Sequence, residues 1–151
     1  VDALQKGIYR HVGGGRTRVC LSYVENLATG IVQAAQRDGD SAEAFVLCDE
    51  VTSWRAFVDA IAQTFEVPQA RGSLPLWLAQ LAALAVESAW HVLRLRGVPP
   101  LTRYRISLFR GDLVFSADKA RAAFGYQPAI GLADGLQRTR AWLDQRNNPL
   151  V

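Results

Sequence analysis

The sequence of 151 residues contains no methionine, and its only lysines are Lys6 and Lys119. Because methionine is absent even from position 1, we expect the chain to be a piece of a longer protein. The scarcity of lysine leaves almost all positive charge on arginines that are scattered among acidic residues, with a formal net charge of only +3. A basic stripe for nucleic acid is therefore not predicted.

Cysteine and histidine are equally scarce. Cys20 and Cys48 lie in apolar, strand-like runs, with no Cys-x-x-Cys motif and no Cys/His spacing that would bind a metal. Two cysteines make no disulfide framework, so we expect two reduced, buried thiols in a cytoplasmic protein. His11 and His91 have no serine, cysteine or carboxylate at a catalytic spacing. No basic segment followed by an apolar run indicates a signal peptide.

Short apolar runs alternate with amphipathic segments along the chain. Val19–Val24 and Ala44–Cys48 are predicted strands, and a helix with Ser53 as its N-cap follows the second of them. The polar residues Asp38–Ser41 are predicted to form a loop. Strands alternating with helices predict an α/β fold with residues 1–151 as one domain, although the strands are too few for a complete doubly wound sheet.

The three glycines Gly13–Gly15 are adjacent and lead into a strand. A dinucleotide-binding loop needs spaced glycines between a strand and a helix N-terminus, where backbone amides meet the pyrophosphate. We therefore interpret the triple glycine as a turn, and no dinucleotide-binding motif is present.

A long apolar helix is predicted at Leu74–Leu95. Its most apolar part is too short to span a bilayer and is interrupted by Gln80. Three interpretations stay open: a core or lid helix, the wall of a site for an apolar substrate with Trp77 and Leu81 as binding residues, and a helix lying on a membrane surface.

The last third of the chain, Pro99–Leu143, contains the segment PPLTR, an Arg-Gly-Asp turn at Arg110–Asp112 and the run KARAAFGYQP, in which Gly125 suits a helix C-cap. Together with SYVENLATGIVQAA at Ser22–Ala35, it resembles the C-terminal part of the extended short-chain dehydrogenase/reductases. These include the NAD-dependent epimerase/dehydratase and 3β-hydroxysteroid dehydrogenase-like proteins. The apolar helix before Pro99 favours the latter branch. The resemblance implies the substrate-side portion of an NAD(P)-binding Rossmann-type protein, mostly helical with two or three short strands.

The resemblance also indicates what the chain lacks. The family's catalytic Tyr-x-x-x-Lys pair is absent, because Phe115 stands four residues before Lys119 and Asp2 stands four residues before Lys6. No catalytic, cofactor-binding or metal-binding residue is therefore predicted in this chain. NAD or NADP is implied for the parent protein, bound by an N-terminal dinucleotide-binding Rossmann portion that this sequence does not contain.

Two arginines match positions that contact substrate in part of the family. Arg18 and Arg110 resemble a pair that contacts the nucleotide diphosphate in sugar-nucleotide epimerases, and planar guanidinium groups bind phosphate bidentately. Two solvated arginines are the alternative interpretation. Asn26, near the start of a predicted helix, is expected to cap the free amides of that helix.

The resemblance thus implies part of an NAD(P)-dependent oxidoreductase that acts on a CH–OH or ketone group of an apolar, steroid-like or long-chain substrate. A nucleotide-sugar epimerase or dehydratase is the alternative enzyme, and a non-catalytic binding module is the alternative of another class. The fragment alone is predicted to be inactive. The expected partner is a small-molecule substrate, without nucleic acid, and a membrane contact of the Leu74–Leu95 helix and a homodimer of the parent stay open.

Overall fold

The computed structural model describes residues 1–37, 42–97, 99 and 101–147, and 53% of it is helical. The predicted loop Asp38–Ser41 and Pro100 of the PPLTR segment lie outside the described residues. The described helices are α1 (Asp2–Gln5), α2 (Val24–Ala35), α3 (Trp54–Thr64), α4 (Leu76–Val92), α5 (Arg103–Ser107), α6 (Asp118–Phe124) and α7 (Leu132–Asn147).

Short strands form two separate two-stranded sheets. The strands are β1 (His11–Val12), β2 (Arg18–Leu21), β3 (Glu50–Ser53) and β4 (Ser73–Leu74). β1 pairs with β4 in parallel, and β2 pairs with β3 antiparallel, with Arg18 opposite Ser53. Leu113 extends the second sheet, since its N–H donates to the Arg18 carbonyl at 2.8 Å and its carbonyl accepts from the Cys20 N–H at 3.0 Å. The α/β, mostly helical fold class is confirmed, with one strand more than predicted.

Three predicted elements differ from the structure. The predicted strand Val19–Val24 corresponds to β2, which ends at Leu21, and Val24 already begins α2. The predicted strand Ala44–Cys48 is not a strand, because the ladder with β2 is formed by the following residues of β3. The predicted Leu74–Leu95 helix is shorter at both ends. Leu74 is paired in β4, and Arg94 at the far end has a φ of 48°, outside the helical region.

The predicted start of α3 at Ser53 and the predicted end of α6 at Gly125 are confirmed. The Ser53 Oγ accepts a hydrogen bond from the Ala56 N–H at 3.1 Å and caps α3. Gly125 ends α6 in the left-handed conformation with a φ of 69°, where glycine carries no Cβ penalty. The triple glycine forms a turn, as predicted, and Gly13–Gly15 all have a positive φ, which only glycine adopts readily.

The core consists of three small clusters of buried side chains. One surrounds Cys48 and Tyr126 with Ala120 of α6 and the preceding Ala117, one joins Leu4 to α3, and one joins α4 to Ile106 of α5. α2 packs closely on the first cluster, because a Cβ built on Gly30 would lie 2.8 Å from the Tyr126 ring. The face of α4 that carries Trp77 and Leu81 is not covered by the described part of the chain.

The two cysteines are joined in a disulfide, which corrects the expectation of reduced thiols. β2 and the segment leading into β3 run antiparallel and bring the Cα atoms of Cys20 and Cys48 to 5.8 Å, within the usual range for a disulfide. The separation of 28 residues in the sequence gave no sign of this proximity.

Candidate functional site

An open cavity of about 370 Å³ lies against α4. Its volume falls within the range of small-molecule sites. The cavity is lined by one face of α4, by the first residue of α5 and by the turn after α5: Trp77, Gln80, Leu81, Leu84, Arg103 and Arg110. The four α4 residues are spaced i, i+3, i+4 and i+7, which places them on one side of the helix. Three of the four predicted substrate-binding residues, Trp77, Leu81 and Arg110, therefore meet in one cavity.

The small residues of α4 decide which face is turned outward. Ala79 and Ala83 are almost fully buried and pack against Ile106 of α5. Alanine lets the two helices approach closely, so the bulky residues point the other way. Trp77 is 63% exposed and Leu81 is 54% exposed. A cluster of large exposed apolar side chains is typical of a binding surface.

Arg103 is neutralised within the cavity. Its backbone N–H and its Nε both donate to the Glu87 carboxylate, at 2.8 and 2.6 Å. These hydrogen bonds, the backbone one first, hold the pKa of Glu87 below its ordinary value. Thr102 caps α5 by accepting a hydrogen bond from the Arg105 N–H at 3.2 Å. The ion pair therefore fixes the start of α5 to α4 and leaves little net charge there.

Arg110 has a neutral partner instead. With the Gln80 amide turned so that its oxygen faces the guanidinium, that oxygen accepts from Nε at 2.9 Å and from Nη2 at 3.0 Å. Among the residues that the structure describes, no carboxylate forms an ion pair with Arg110. The cavity thus combines an apolar wall with one cation whose charge is not compensated by those residues.

Arg18 does not line this cavity. Its backbone N–H and its Nε donate to the two carboxylate oxygens of Asp112, at 2.9 and 2.8 Å. The same bonds hold the pKa of Asp112 below its ordinary value. Arg18 therefore fixes the Arg110–Asp112 turn to β2, and the guanidinium groups of Arg18 and Arg110 do not face one cavity in the described part of the chain.

A second, smaller cavity of about 140 Å³ lies between β2, α3 and α7 and is mostly apolar. Asp49 lines it and organises its base. The Asp49 carboxylate accepts hydrogen bonds from the Tyr23 N–H and from Asn26 Nδ2, both at 2.7 Å, and from the Tyr126 hydroxyl. Burial and the hydrogen bond to Asp49 raise the pKa of Tyr126. A tyrosine held protonated in this way is unsuited to act as a base.

Asn26 is not the helix cap that its position suggested. α2 already begins at Val24, so Asn26 lies inside the first turn and faces the core, where it is only 3% exposed. Besides its bond to Asp49, its amide donates to the Ile130 carbonyl at 2.8 Å and accepts from the N–H groups of Ala129 and Ile130 at 3.1 Å. The side chain thus ties α2 to the segment that leads into α7. Sequence reasoning missed Asp49, although a carboxylate directly after the apolar run FVLC was a usable signal.

The remaining titratable groups suggest no further site. His11 is buried in β1, where burial, and then the charge of Arg55, lower its pKa. It does not line the cavity on α4. No group of three or more histidine, cysteine or acidic side chains among the described residues could hold a metal ion. No helix in the described part of the chain is both long and apolar enough to cross a membrane.

Three curated relatives share about a quarter of the residues of this sequence, whereas no family profile matches it. The chain is 29% identical over 141 residues to 4-hydroxy-2-methyl-3-oxo-4-farnesyl-3,4-dihydroquinoline-1-oxide ketoreductase of Stigmatella aurantiaca, covering 93% of the chain and 42% of the relative. It is 28% identical over 145 residues to 2-alkyl-3-oxoalkanoate reductase of Stenotrophomonas maltophilia (93% and 44%). It is 26% identical over 147 residues to sterol-4-alpha-carboxylate 3-dehydrogenase, decarboxylating, of Mus musculus (92% and 41%). The chain thus spans about two fifths of the length of these relatives.

Solved structures share the fold. The crystal structure of gox2253 superposes with a TM-score of 0.68 and 23% identity, over 95% of this chain and 42% of that one. UDP-glucuronic acid 4-epimerase from Bacillus cereus, in complex with UDP-glucuronic acid and NAD, superposes with a TM-score of 0.57 and 15% identity, over 91% and 35%. At these identities the likeness establishes the fold alone.

Proposed function

We propose that this chain, which belongs to the extended short-chain dehydrogenase/reductases of the 3β-hydroxysteroid dehydrogenase-like branch, binds the substrate of an NAD(P)-dependent oxidoreductase. In this proposal the substrate is apolar and carries a hydroxyl or ketone group. The observation that carries it is the outward face of α4, which presents Trp77, Leu81 and Leu84 to one cavity. Such a wall suits a hydrocarbon skeleton better than a sugar, whose hydroxyl groups need polar partners.

The residues of this chain do not fit a nicotinamide cofactor. The sequence has neither a dinucleotide-binding motif nor a Tyr-x-x-x-Lys pair. Its own contribution is therefore to bind and orient the substrate, while NAD or NADP binding and the redox step fall to the N-terminal portion of the parent protein. The assignment of residues 1–151 to one substrate-binding portion remains part of the proposal.

The names of the relatives support an apolar substrate. The three substrates named above carry a farnesyl group, an alkyl group and a sterol skeleton. All three names also describe a reaction at a ketone or hydroxyl group. A contact between the exposed apolar face of α4 and a membrane surface, through which such substrates are delivered, remains a prediction.

The test uses the full-length protein that contains this chain. We expect it to oxidise or reduce a 3-hydroxysteroid or a long-chain 3-hydroxy compound with NAD(P), followed by nicotinamide absorbance at 340 nm. Trp77→Ala and Leu81→Ala should each raise KM for these substrates by about tenfold, since each removes apolar contact area worth roughly 1.5 kcal/mol. Val92→Ala, an exposed apolar change on the same helix outside the cavity, is the matched control.

The other candidate functions are outcomes of the same test. Turnover of UDP- or dTDP-sugars without turnover of apolar alcohols would favour the epimerase hypothesis instead. In that case Arg18→Ala and Arg110→Ala should each raise KM for the sugar nucleotide. The ion pair of Arg18 with Asp112 does not favour the epimerase hypothesis, because it already engages the Arg18 guanidinium. A full-length protein with no NAD(P)-dependent turnover of either class would point to a non-catalytic binding module.

A further inference from the structure

We propose that Cys20 and Cys48 form a redox switch. In the oxidised state the disulfide fixes residues 44–49 to β2, and in the reduced state this segment is free to open. The reactant is a small thiol, and the corresponding small-molecule disulfide drives the reverse step. The switch acts on the fold of this chain and is independent of the substrate that the parent protein uses.

The two sulfurs differ in their surroundings. Cys48 is only 4% exposed and lies in the buried cluster around Tyr126, whereas Cys20 on β2 is partly exposed. A thiolate from solvent therefore attacks Cys20 and forms a mixed disulfide with it, and Cys48 leaves as a thiolate that takes up a proton. A second thiolate attacks the small-molecule sulfur of the mixed disulfide and releases Cys20, which is protonated in turn. Two small thiols thus become one disulfide, and their two electrons and two protons reduce the two cysteines.

The disulfide holds a segment that the sheet does not include. Residues 44–49 precede the ladder of β2 with β3. The Asp49 N–H donates to the Leu21 carbonyl at 3.0 Å. The Ser22 hydroxyl donates to the Leu47 carbonyl at 3.1 Å. A segment with few backbone hydrogen bonds opens at a low free energy, so the covalent bond is the strongest link between this segment and β2.

Opening of this segment would reach the second cavity and α2. The residue that follows each cysteine lines that cavity, namely Leu21 and Asp49. The Asp49 carboxylate also accepts from the Tyr23 N–H and from Asn26 Nδ2, both at 2.7 Å, at the start of α2. A movement of Asp49 would break both hydrogen bonds. Reduction should therefore loosen the cavity wall and the first turn of α2 together.

The experiment compares hydrogen exchange of the full-length protein in oxidised and in reduced glutathione. Deuterium uptake is measured by mass spectrometry on peptides that cover residues 44–49 and on peptides of α4, whose buried alanines pack in a separate cluster. Reduction should accelerate exchange in residues 44–49 by about tenfold more than in α4, because loss of the disulfide lowers the stability of the whole chain but permits local opening only in this segment. Return to oxidised glutathione should restore slow exchange.

The double variant Cys20→Ser/Cys48→Ser is the matched control, since it cannot form the bond. It should exchange rapidly in residues 44–49 under both conditions, which separates this pair from any other cysteine of the full-length protein. Equal acceleration in both sets of peptides, unchanged exchange in residues 44–49, or a response of the double variant to glutathione would each overturn the switch. A disulfide that excess glutathione leaves intact, as found by alkylation of free thiols, would do the same. The wild-type comparison decides the question even if the double variant does not fold.

Discussion

Replacing Asn26 by alanine should destabilise the chain more than any comparable surface change. The Asn26 amide makes four hydrogen bonds of 2.7–3.1 Å from an almost fully buried position. Three of them are to backbone groups of Ala129 and Ile130, and the fourth is to the Asp49 carboxylate. Alanine would leave all four partner groups without this side chain.

The size of the effect follows from these contacts. A neutral hydrogen bond contributes roughly 1 kcal/mol and one to a charged group roughly 1.5–3 kcal/mol, so the four bonds sum to about 6 kcal/mol as an upper limit. Water that enters the space left by the amide will satisfy some of the groups, so we expect a loss of about 3 kcal/mol. For a chain of this size, that loss lowers Tm by about 6–12 °C.

Urea unfolding followed by the fluorescence of the tryptophans measures this loss. Gln137→Ala removes the same chemical group from an exposed position on α7 and should change stability by less than about 0.5 kcal/mol. Tyr126→Phe removes another donor to Asp49, so the double variant with Asn26→Ala should lose less than the two single losses added together. A loss below about 1 kcal/mol for Asn26→Ala would refute the view that this side chain holds α2 to the segment before α7.

Two further predictions concern the disulfide and one ion pair. Reduction of the Cys20–Cys48 disulfide opens a loop of 28 residues and should lower the free energy of unfolding by up to about 3–4 kcal/mol. Urea unfolding with and without reductant measures this change. An unchanged free energy of unfolding, or unlinked cysteine peptides in mass spectrometry, would contradict the disulfide. The pKa of Glu87 is lower in the folded chain than its unfolded value of 4.5. The hydrogen bonds of Glu87 with Arg103 therefore contribute to the free energy of unfolding above pH 4.5, and this contribution is lost as the pH falls through the folded-state pKa. A carbon-13 titration of Glu87 should therefore show a pKa below 4.5 that rises in Arg103→Gln without reaching 4.5, because the backbone N–H of residue 103 still donates to the carboxylate.

Local rules predicted the helices and their ends better than they predicted the pairing of strands. The N-cap of Ser53 and the left-handed Gly125 are decided within four residues of sequence, and both were predicted correctly. The strand at Ala44–Cys48 was wrong, because the choice of the following residues for β3 depends on the register with β2, which is distant in sequence.

The candidate site shows the same division. Trp77 and Leu81 were predicted from the apolar character of the Leu74–Leu95 segment, and their i, i+4 spacing places them side by side on α4. Arg110 lines the same cavity as Trp77 and Leu81, whereas Arg18 is bound by Asp112. These positions depend on the tertiary structure and cannot be predicted from the spacing of residues in the sequence. The disulfide and the contacts of Asn26 escaped prediction for the same reason, since each joins segments at least 23 residues apart.

The orientation of α4 is the physical argument that links fold to function. The helix buries two alanines and leaves Trp77, Leu81 and Leu84 between 43% and 63% exposed. An orientation of α4 with these three side chains facing α5 would bury more apolar area. Each fully buried side chain of this size stabilises a fold by roughly 1.5–3 kcal/mol. Close packing of Ala79 and Ala83 on Ile106 fixes the orientation seen. The apolar area left open is then available to a ligand or to the rest of the protein.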